Sequence, residues 1–259
     1  MSSALLDARS LVKNFGGLTA VANVSVHFDQ NELVGLIGPN GAGKTTLFNL
    51  LTGETPVSSG SISLATDRGV QTLNGQSPAQ IAQAGISRTF QNIRLFKDLT
   101  VLDNVRIAMT NHYREGFFTS ILRLPKYYRT EREMTAAAQR LLAIFDLTAV
   151  AQQPAKNLPY GTQRRLEIVR ALATKPKLLF LDEPAAGMNP EETADLTRLI
   201  RQIQHDFHIT VVLIEHDMSL VMDVCERLYV LEHGGLLATG TPAEIQQNPA
   251  VIKAYLGGD

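Results

Sequence analysis

The chain has 259 residues, of which 44% are apolar and 19% charged, so it is long enough to bury one large core or two smaller ones. Its formal net charge of −1 argues against a domain-wide nucleic-acid surface, and its single cysteine, Cys225, cannot form an internal disulfide. The first thirty residues lack a secretory signal pattern, and no apolar run approaches the ~20 residues that span a bilayer. We therefore expect a cytoplasmic compartment and any membrane association through partner subunits.

Short β-rich runs alternate with helical patterns along the chain, which favours an α/β fold. Residues 4–30 resemble short strands joined at Gly16-Gly17, and we expect them to form an antiparallel flap beside the main sheet. The nearly uninterrupted apolar runs Leu178–Leu181 and Ile209–Ile214 are typical of central parallel strands that are covered on both sides. The predicted fold class is thus α/β, with a mainly parallel sheet and an antiparallel β flap.

A glycine-rich segment, Gly38–Thr45, directly follows the apolar run Leu33–Ile37 and fits the pattern G-x-x-x-x-G-K-[ST] in full. Such a turn, opening a helix, points backbone N–H groups and the positive helix end at one small volume that suits polyphosphate. The strand before it and the helical pattern after it argue against an incidental turn. We predict an ATP or GTP site formed by Asn40, Gly41, Ala42, Gly43, Lys44, Thr45 and Thr46, with Lys44 at the phosphates and Thr45 as a Mg²⁺ ligand.

Aromatic and basic residues are mixed between Ile107 and Glu133, within the segments His112–Phe118 and Lys126–Arg129. This mixture suits docking on a membrane subunit or contact with anionic headgroups. An ordinary amphipathic helical hairpin, with rings inward and charges outward, is the alternative that the sequence leaves open.

The segment Leu158–Ala173 carries apolar residues at helical spacing, with Pro159 and Gly161 at its start. We predict a helix whose N-terminus is left open, and such an end is an anion site. Because the phosphate loop already supplies what one triphosphate needs, this second site is expected to serve the nucleotide of another molecule.

Ionisable residues follow both of the predicted buried strands. Asp182 is expected to hold the Mg²⁺ shell, and Glu183 to activate an attacking water as a general base. His216 is expected to hydrogen-bond the terminal phosphate. Because ligands gather at the carboxyl ends of the strands in open α/β sheets, we expect these side chains and Glu215 to converge near the phosphate loop. A solvated strand end is the alternative for Asp182 and Glu183.

The other histidines lack such a setting. We expect them to be surface or packing residues: His27, His112, His205, His208 and His233.

In order and context, Gly38–Thr45, Leu158–Gln163, Leu178–Glu183 and His216 resemble the ATP-binding subunits of ABC transporters, over essentially the whole chain. Further segments resemble the ATPases of branched-chain amino-acid importers. These are Arg88–Phe96, Arg164–Ile168, Asp182–Pro190, Glu215–Met218 and the tail from Gly240 to Gly257. The resemblance implies a phosphate-loop NTPase core with an inserted α-helical subdomain, divided as 1–87 (core with flap), 88–160 (helical), 161–236 (core) and 237–259 (helical tail).

The resemblance also implies roles for single residues. Phe15 matches the aromatic residue that stacks on adenine, with a core aromatic of the flap as the alternative. Gln91 matches the glutamine that reaches Mg²⁺ and the attacking water, on a loop that faces the membrane subunits. Leu158–Thr162 matches the signature sequence, which contacts the terminal phosphate held by the opposite protomer. The implied cofactors are ATP and Mg²⁺, and the implied catalytic residues are Glu183, His216 and Gln91.

Four positions depart from the family pattern. Pro159 replaces serine and offers neither hydroxyl nor N–H, so contacts must come from the backbone amides of Tyr160, Gly161 and Thr162. Tyr160 itself replaces a glycine, and Thr162 a glutamine. Asn189 stands where aspartate is common, which weakens an ionic contact across a dimer.

The resemblance implies an ATP-hydrolysing importer subunit at the cytoplasmic face of the membrane. Two copies, or this chain and a sister ATPase, would sandwich ATP and drive uptake of branched-chain or related amino acids. The expected partners are integral permease subunits and, indirectly, a periplasmic or extracellular solute-binding protein, with no nucleic acid. A soluble non-transport ABC-type ATPase usually carries a second cassette or a long coiled coil, and a GTPase switch needs a guanine-reading Asn-Lys-x-Asp element. This sequence has one phosphate-loop pattern, no sustained heptads and no Asn-Lys-x-Asp element after an apolar strand.

Overall fold

The computed structural model describes residues 4–111, 113 and 125–256, and the chain forms two compact units. The first unit combines the chain up to Arg88 with the chain from Lys177 onward, and the second is Thr89–Pro176. The helix that starts at Tyr160 belongs to the second unit, whereas the division expected from the sequence placed residues 161–236 in the core. The helical unit is thus larger than the segment 88–160.

The strands are, in chain order, β1 (Leu6–Phe15), β2 (Leu18–Phe28), β3 (Leu33–Ile37), β4 (Ser59–Thr66), β5 (Gly69–Thr72), β6 (Ile86–Arg88), β7 (Leu178–Asp182), β8 (Thr210–Ile214), β9 (Arg227–Glu232) and β10 (Gly235–Gly240). The helices are α1 (Lys44–Leu51), α2 (Pro78–Gln83), α3 (Val101–Met109), α4 (Pro125–Ile144), α5 (Tyr160–Ala173), α6 (Pro190–Phe207), α7 (Met218–Val224), α8 (Pro242–Gln247) and α9 (Pro249–Leu256). Within the described residues, no helix is long and apolar enough to cross a bilayer.

The central sheet of the first unit has the strand order β10-β9-β3-β8-β7-β6, with β10 antiparallel to β9 and the other neighbours parallel. Every residue of β3, β7 and β8 is buried, as the apolar runs predicted. Because these three strands are parallel, they end at the same edge of the sheet. The predicted α/β class with a mainly parallel sheet is confirmed.

A second, antiparallel sheet has the order β2-β1-β4-β5. Its first two strands are the predicted flap, and they are longer than expected, at 10 and 11 residues. The turn between them places Gly16 at φ 58°, a conformation that glycine adopts without strain. The two sheets share an apolar core in which the Phe180 ring meets Phe28 of the flap and Phe48 of α1 edge-on, at centroid distances of 6.1 and 4.8 Å.

A buried ion pair explains why α5 belongs to the helical unit. The Arg164 side chain is fully buried, and Nη1 donates to Glu167 Oε2 at 2.8 Å. The same guanidinium donates to the carbonyls of Phe90 (2.7 Å) and Gln91 (2.9 Å). Glu167 Oε1 in turn accepts from the backbone N–H groups of Phe90 (3.3 Å) and Arg94 (3.4 Å). The two charged side chains therefore hold the glutamine-bearing loop against α5.

The aromatic and basic segment between Ile107 and Glu133 is described in part. His112 and the stretch from Arg114 to Phe118 lie outside the described residues. In α4, the Tyr127 and Tyr128 rings meet edge-on at 5.5 Å, and the Tyr128 side chain is about half exposed. A hairpin with all of its rings inward therefore does not describe this segment.

The Arg164–Glu167 pair generates a stability prediction. Arg164→Met leaves the Glu167 carboxylate buried without its cation, and we expect the free energy of unfolding to fall by about 3–5 kcal/mol. The matched control is Arg198→Met, because Arg198 also pairs with an acid three residues away, Asp195, but at the surface. Its effect should stay within about 1 kcal/mol. Denaturant titration of both variants checks this, and equal effects would contradict it.

Candidate functional site

A cleft of about 620 Å³ opens beside the carboxyl edge of the central sheet. Every residue of the predicted phosphate-binding segment from Asn40 to Thr46 lines this cleft. Glu183 follows β7, His216 lies two residues beyond β8, and both line the same cleft. The structure therefore brings Glu183 and His216 to the phosphate loop, whereas Asp182 and Glu215 are not part of the cleft lining.

The backbone of the phosphate loop requires glycine at two close approaches. Gly38 has φ 147° and Gly43 has φ 96°. A Cβ at Gly38 would lie 2.1 Å from the Leu231 carbonyl oxygen, and one at Gly43 would lie 2.5 Å from that of Ala20. Gly43 is also the N-cap of α1 and provides no side-chain cap, so the first amide donors of α1 have no intrahelical partner. The loop and helix end thus form a cradle of backbone donors suited to phosphate oxygens.

Lys44 supplies the fixed positive charge of this cradle. Its side chain is buried, and Nζ donates to the carbonyl oxygens of Gly38 (2.7 Å) and Pro39 (3.0 Å). Burial lowers the pKa of Lys44, while the carboxylate of Glu183 raises it. The ammonium is therefore held against the loop by two carbonyls, with the acidic side chain of Glu183 close to it.

Glu183 and His216 form a hydrogen-bonded pair in the cleft. His216 Nε2 lies 2.8 Å from Glu183 Oε1, and the Glu183 side chain is mostly buried. Glu183 has φ 46°, an uncommon left-handed conformation for a residue with a side chain. Its backbone N–H donates to the Ile214 carbonyl of β8 at 2.9 Å, which helps to hold it there. Such strain is typical of functional positions.

The Glu215 side chain connects the loops that follow β7 and β8. It is buried, and its carboxylate accepts from the backbone N–H groups of Ala185 (2.7 Å) and His216 (3.1 Å). Burial raises the pKa of Glu215, and these N–H groups act in the opposite direction. The sequence placed Glu215 near the phosphate loop. The structure gives it a bridging contact between the loops after β7 and β8.

Asp182 is buried at the end of β7, where Arg88 contacts it. Arg88 Nη2 donates to Asp182 Oδ2 at 2.7 Å, and Nη1 donates to Asn49 Oδ1 of α1 at 2.6 Å. The sequence marked Arg88 for its family resemblance alone, because nothing local to it indicates a partner 94 residues away.

The donors near the phosphate loop fit Mg²⁺ as a nucleotide-bound ion. Mg²⁺ is usually held by one or two carboxylates together with substrate phosphates, rather than by an all-protein cage. The described residues contain no group of three or more His, Cys, Asp or Glu side chains that could hold a metal. The Thr45 hydroxyl at the start of α1 and the Asp182 carboxylate at the end of β7 are oxygen donors of the kind that this ion prefers.

Phe15 lies at the mouth of the cleft, at the end of β1. Its side chain is 51% exposed, so it is not a core aromatic of the flap. Lys13 Nζ lies 4.9 Å from the centroid of the ring, and the exposed Leu18 lines the cleft as well. A half-exposed ring at the cleft mouth is available to a planar base.

His233 is exposed, in line with the expectation of a surface or packing residue, and it also lines the cleft together with Gly234. Both residues form the turn between β9 and β10, and Gly234 donates to the Ala42 carbonyl at 3.1 Å and accepts from the Ala22 N–H at 2.8 Å. The turn reaches the phosphate loop through the pairing of β9 with β3, for which the sequence around His233 carries no signal.

Gln91 and the signature residues belong to the helical unit, as described above. The predicted helix begins at Tyr160, and its N-cap, Pro159, makes no side-chain cap. Tyr160 is 46% exposed, and its hydroxyl lies 3.4 Å from Arg164 Nη2. The predicted open N-terminus of this helix, with Gly161 and Thr162 in its first turn, is thus confirmed.

Asn189 has a structural explanation in the first unit. Its Oδ1 accepts from the N–H of Glu192 at 2.9 Å, and its own N–H donates to Glu192 Oε2 at 3.0 Å. This reciprocal capping box starts α6. Asparagine is among the preferred residues at such a position.

Known proteins resemble this chain over its whole length. The family model described as ABC transporter matches residues 21–186, and that of the branched-chain amino acid ATP-binding cassette transporter matches residues 236–259. The chain is 48% identical to the high-affinity branched-chain amino acid transport ATP-binding protein LivG of Salmonella typhimurium and 46% identical to BraF of Pseudomonas aeruginosa, over 99% of each chain. The solved ADP conformation of MJ1267, an ATP-binding cassette of an ABC transporter, superposes with a TM-score of 0.82 at 29% identity, over 98% of this chain and 99% of that one. The chain therefore belongs to the ABC transporter family of ATP-binding cassette ATPases.

Proposed function

We propose that this ATPase energises an importer of branched-chain or related amino acids and that it works as a dimer around ATP. One observation carries the proposal. Glu183 and His216 are hydrogen-bonded to each other in the same cleft as the complete phosphate loop, so a candidate general base lies beside the expected position of the terminal phosphate. The alternative, a soluble ABC-type ATPase without a transport role, is less well supported, because LivG and BraF are both transport proteins by name.

Each of the assigned residues has a distinct task in this proposal. The amides of the loop from Asn40 to Thr46, together with Lys44, bind and orient the phosphates of ATP. Thr45 and Asp182 would hold Mg²⁺, which would neutralise charge on the phosphate oxygens. Glu183 accepts a proton from the attacking water, and its bond to His216 orients the carboxylate. Gln91, from the helical unit, is assigned to the metal and the attacking water.

The open N-terminus of α5 is assigned to the terminal phosphate of the ATP bound by the opposite protomer. With proline at the N-cap, the contacts come from the backbone amides of Tyr160, Gly161 and Thr162. Moving a two-state pair from 1:99 to 99:1 takes about 5.5 kcal/mol, and charge-assisted bonds to each of two phosphates supply about 1.5–3 kcal/mol apiece. Hydrolysis removes these bonds, so the pair opens and the change can be passed to a transporter.

The partners follow from the same proposal. As the ATP-binding subunit of such an importer, this chain acts on a solute through integral permease subunits, at the cytoplasmic face of the membrane. A second ATPase subunit, either a second copy or a sister chain, completes each site. A solute-binding protein on the other side delivers the amino acid, and no nucleic acid takes part.

Glu183→Gln tests the dimer clamp. The amide cannot accept the proton, so multi-turnover hydrolysis should fall by about 10²–10⁴-fold while ATP binding persists. In the presence of ATP the variant should form a dimer, which should dissociate when ATP is replaced by ADP. Light scattering after size-exclusion chromatography measures both states. Lys44→Ala should bind ATP weakly and stay monomeric, and Glu191→Gln, at an exposed acid of α6, should behave as the wild type. Rapid turnover by the Glu183→Gln protein would refute its role as the base.

Phe15→Ala tests the stacking assignment. Loss of a base–aromatic stack costs about 1–3 kcal/mol, so ATP affinity should fall on the order of 5- to 150-fold. Inorganic tripolyphosphate, which has no base, should bind equally to both proteins in calorimetric titrations. Phe15→Tyr keeps the ring and should retain ATP affinity. Equal ATP affinity of wild type and Phe15→Ala would show that the ring does not contact the base.

Assembly of the whole transporter tests the amino-acid role. This chain should co-purify with its permease subunits, and leucine, isoleucine or valine presented by the solute-binding protein should stimulate ATP hydrolysis by the complex in vesicles. The same complex carrying Glu183→Gln should show neither hydrolysis nor uptake. A stable complex whose ATP hydrolysis is not stimulated by these amino acids would change the solute assignment. Failure to co-purify would favour the soluble alternative.

A further inference from the structure

We propose that Arg88 is a positioning residue for magnesium-bound nucleotide. Its guanidinium ties the Asp182 carboxylate to α1, so that Asp182 and the Thr45 hydroxyl keep a fixed separation. This inference rests on the proposed function, in which these two groups hold Mg²⁺. It assigns a task to a cation that pairs with Asp182 and is not part of the cleft lining.

Arg88 makes contacts in two directions within the first unit. On one side, Nη2 donates to Asp182 Oδ2 at 2.7 Å. On the other, Nη1 donates to Asn49 Oδ1 at 2.6 Å and to Thr52 Oγ1 at 3.1 Å, both on or next to α1. The guanidinium carbon also lies 5.7 Å from the centroid of the Phe48 ring. One side chain therefore joins the end of β7 to the face of α1.

The position of Asn49 connects this network to the metal ligand. Asn49 is four residues after Thr45, and side chains four apart lie on the same face of a helix. Holding Asn49 therefore also fixes the rotation of α1 about its axis, and with it the direction in which Thr45 is presented. Thr52 can accept from Arg88 because its own hydroxyl donates to the Phe48 carbonyl at 2.8 Å.

Burying this charged network costs desolvation free energy, which favours a functional explanation for it. The Arg88 and Asp182 side chains are 9% and 3% exposed. Buried ion pairs contribute little net stability, because desolvating both charges offsets their attraction. A carboxylate that must meet a divalent ion has to remain ionised and oriented, and a forked guanidinium provides both conditions while bonding to a second element. A lysine would supply the charge but not the planar fork.

Equilibrium binding of ATP provides a readout that does not depend on turnover. All variants are made in the Glu183→Gln protein, so that ATP is not consumed, and its affinity is titrated with rising Mg²⁺ and separately in excess EDTA. Mutation of a residue that hydrogen-bonds to a metal ligand typically lowers metal affinity by about 10- to 100-fold. We expect Arg88→Lys to need on the order of 10- to 100-fold more Mg²⁺ for half-maximal enhancement of ATP binding, with unchanged affinity in EDTA.

The matched control is Arg9→Lys. Arg9 pairs with Asp7 at 2.7 Å in the same unit, but its side chain is 75% exposed. The same chemical change there should leave the Mg²⁺ requirement as in the parent protein. A wild-type Mg²⁺ requirement in folded Arg88→Lys protein would overturn the inference, and so would an equal loss of affinity with and without Mg²⁺.

Two further variants keep the test decisive. If Arg88→Lys does not fold, Asn49→Ala leaves the Arg88–Asp182 pair in place and removes one of the two hydrogen bonds that join Arg88 to the α1 side. It should shift the Mg²⁺ requirement in the same direction by a smaller factor, and no shift would overturn the inference. Asp182→Asn separates the two proposals. If it leaves the Mg²⁺ requirement unchanged, the metal assignment and this inference both fail; if it shifts the requirement and Arg88→Lys does not, the inference alone fails.

Discussion

The site depends on the parallel pairing of β3, β8 and β7. Each is a five-residue strand with every residue buried, and their registers align Leu33 with Val211 and Leu178 with Thr210. Since parallel strands end at one edge, the phosphate loop and the acids after β7 and β8 leave the sheet side by side. A slip of one residue in either pairing would reverse the facing of a whole strand, so the buried apolar side chains also set the geometry of the cleft.

Buried charge follows one rule in both units. Each buried ionised side chain is paired with an opposite charge or with backbone groups, because an uncompensated charge in an apolar interior is strongly destabilising. Arg88 meets Asp182, Arg164 meets Glu167, and Glu215 accepts from two loop amides. These contacts fix the positions of loops as well as compensating buried charge. Arg88 is the last residue of the first unit before the chain enters the second, and Arg164 holds the backbone of residues 90–91 within the second. The chain passes from the first unit to the second after Arg88, and the residues on each side of this point are held by contacts within their own unit.

The departures from the family pattern have local physical explanations. Asn189 forms a capping box that an aspartate would form equally well, so α6 loses nothing by the exchange. Pro159 sets the backbone that leads into α5 and leaves the amides of the first turn as donors. Tyr160 extends its hydroxyl to Arg164, which also holds the carbonyl of Gln91. The start of the signature helix and the glutamine loop are therefore linked through one guanidinium.

Features with a contiguous signal could be predicted from the residues alone. The glycine pattern of the phosphate loop, the apolar strands, the flap with its Gly16-Gly17 turn and the helix with Pro159 and Gly161 at its start each depend on neighbours within a few positions, where backbone sterics and periodicity act. Pairing between distant residues could not be read in this way. The contact of Arg88 with Asp182, the bridge made by Glu215, the entry of His233 into the cleft and the membership of α5 in the helical unit all required the fold. Each joins residues that come together through strand order or loop packing, and their local sequence is compatible with many partners.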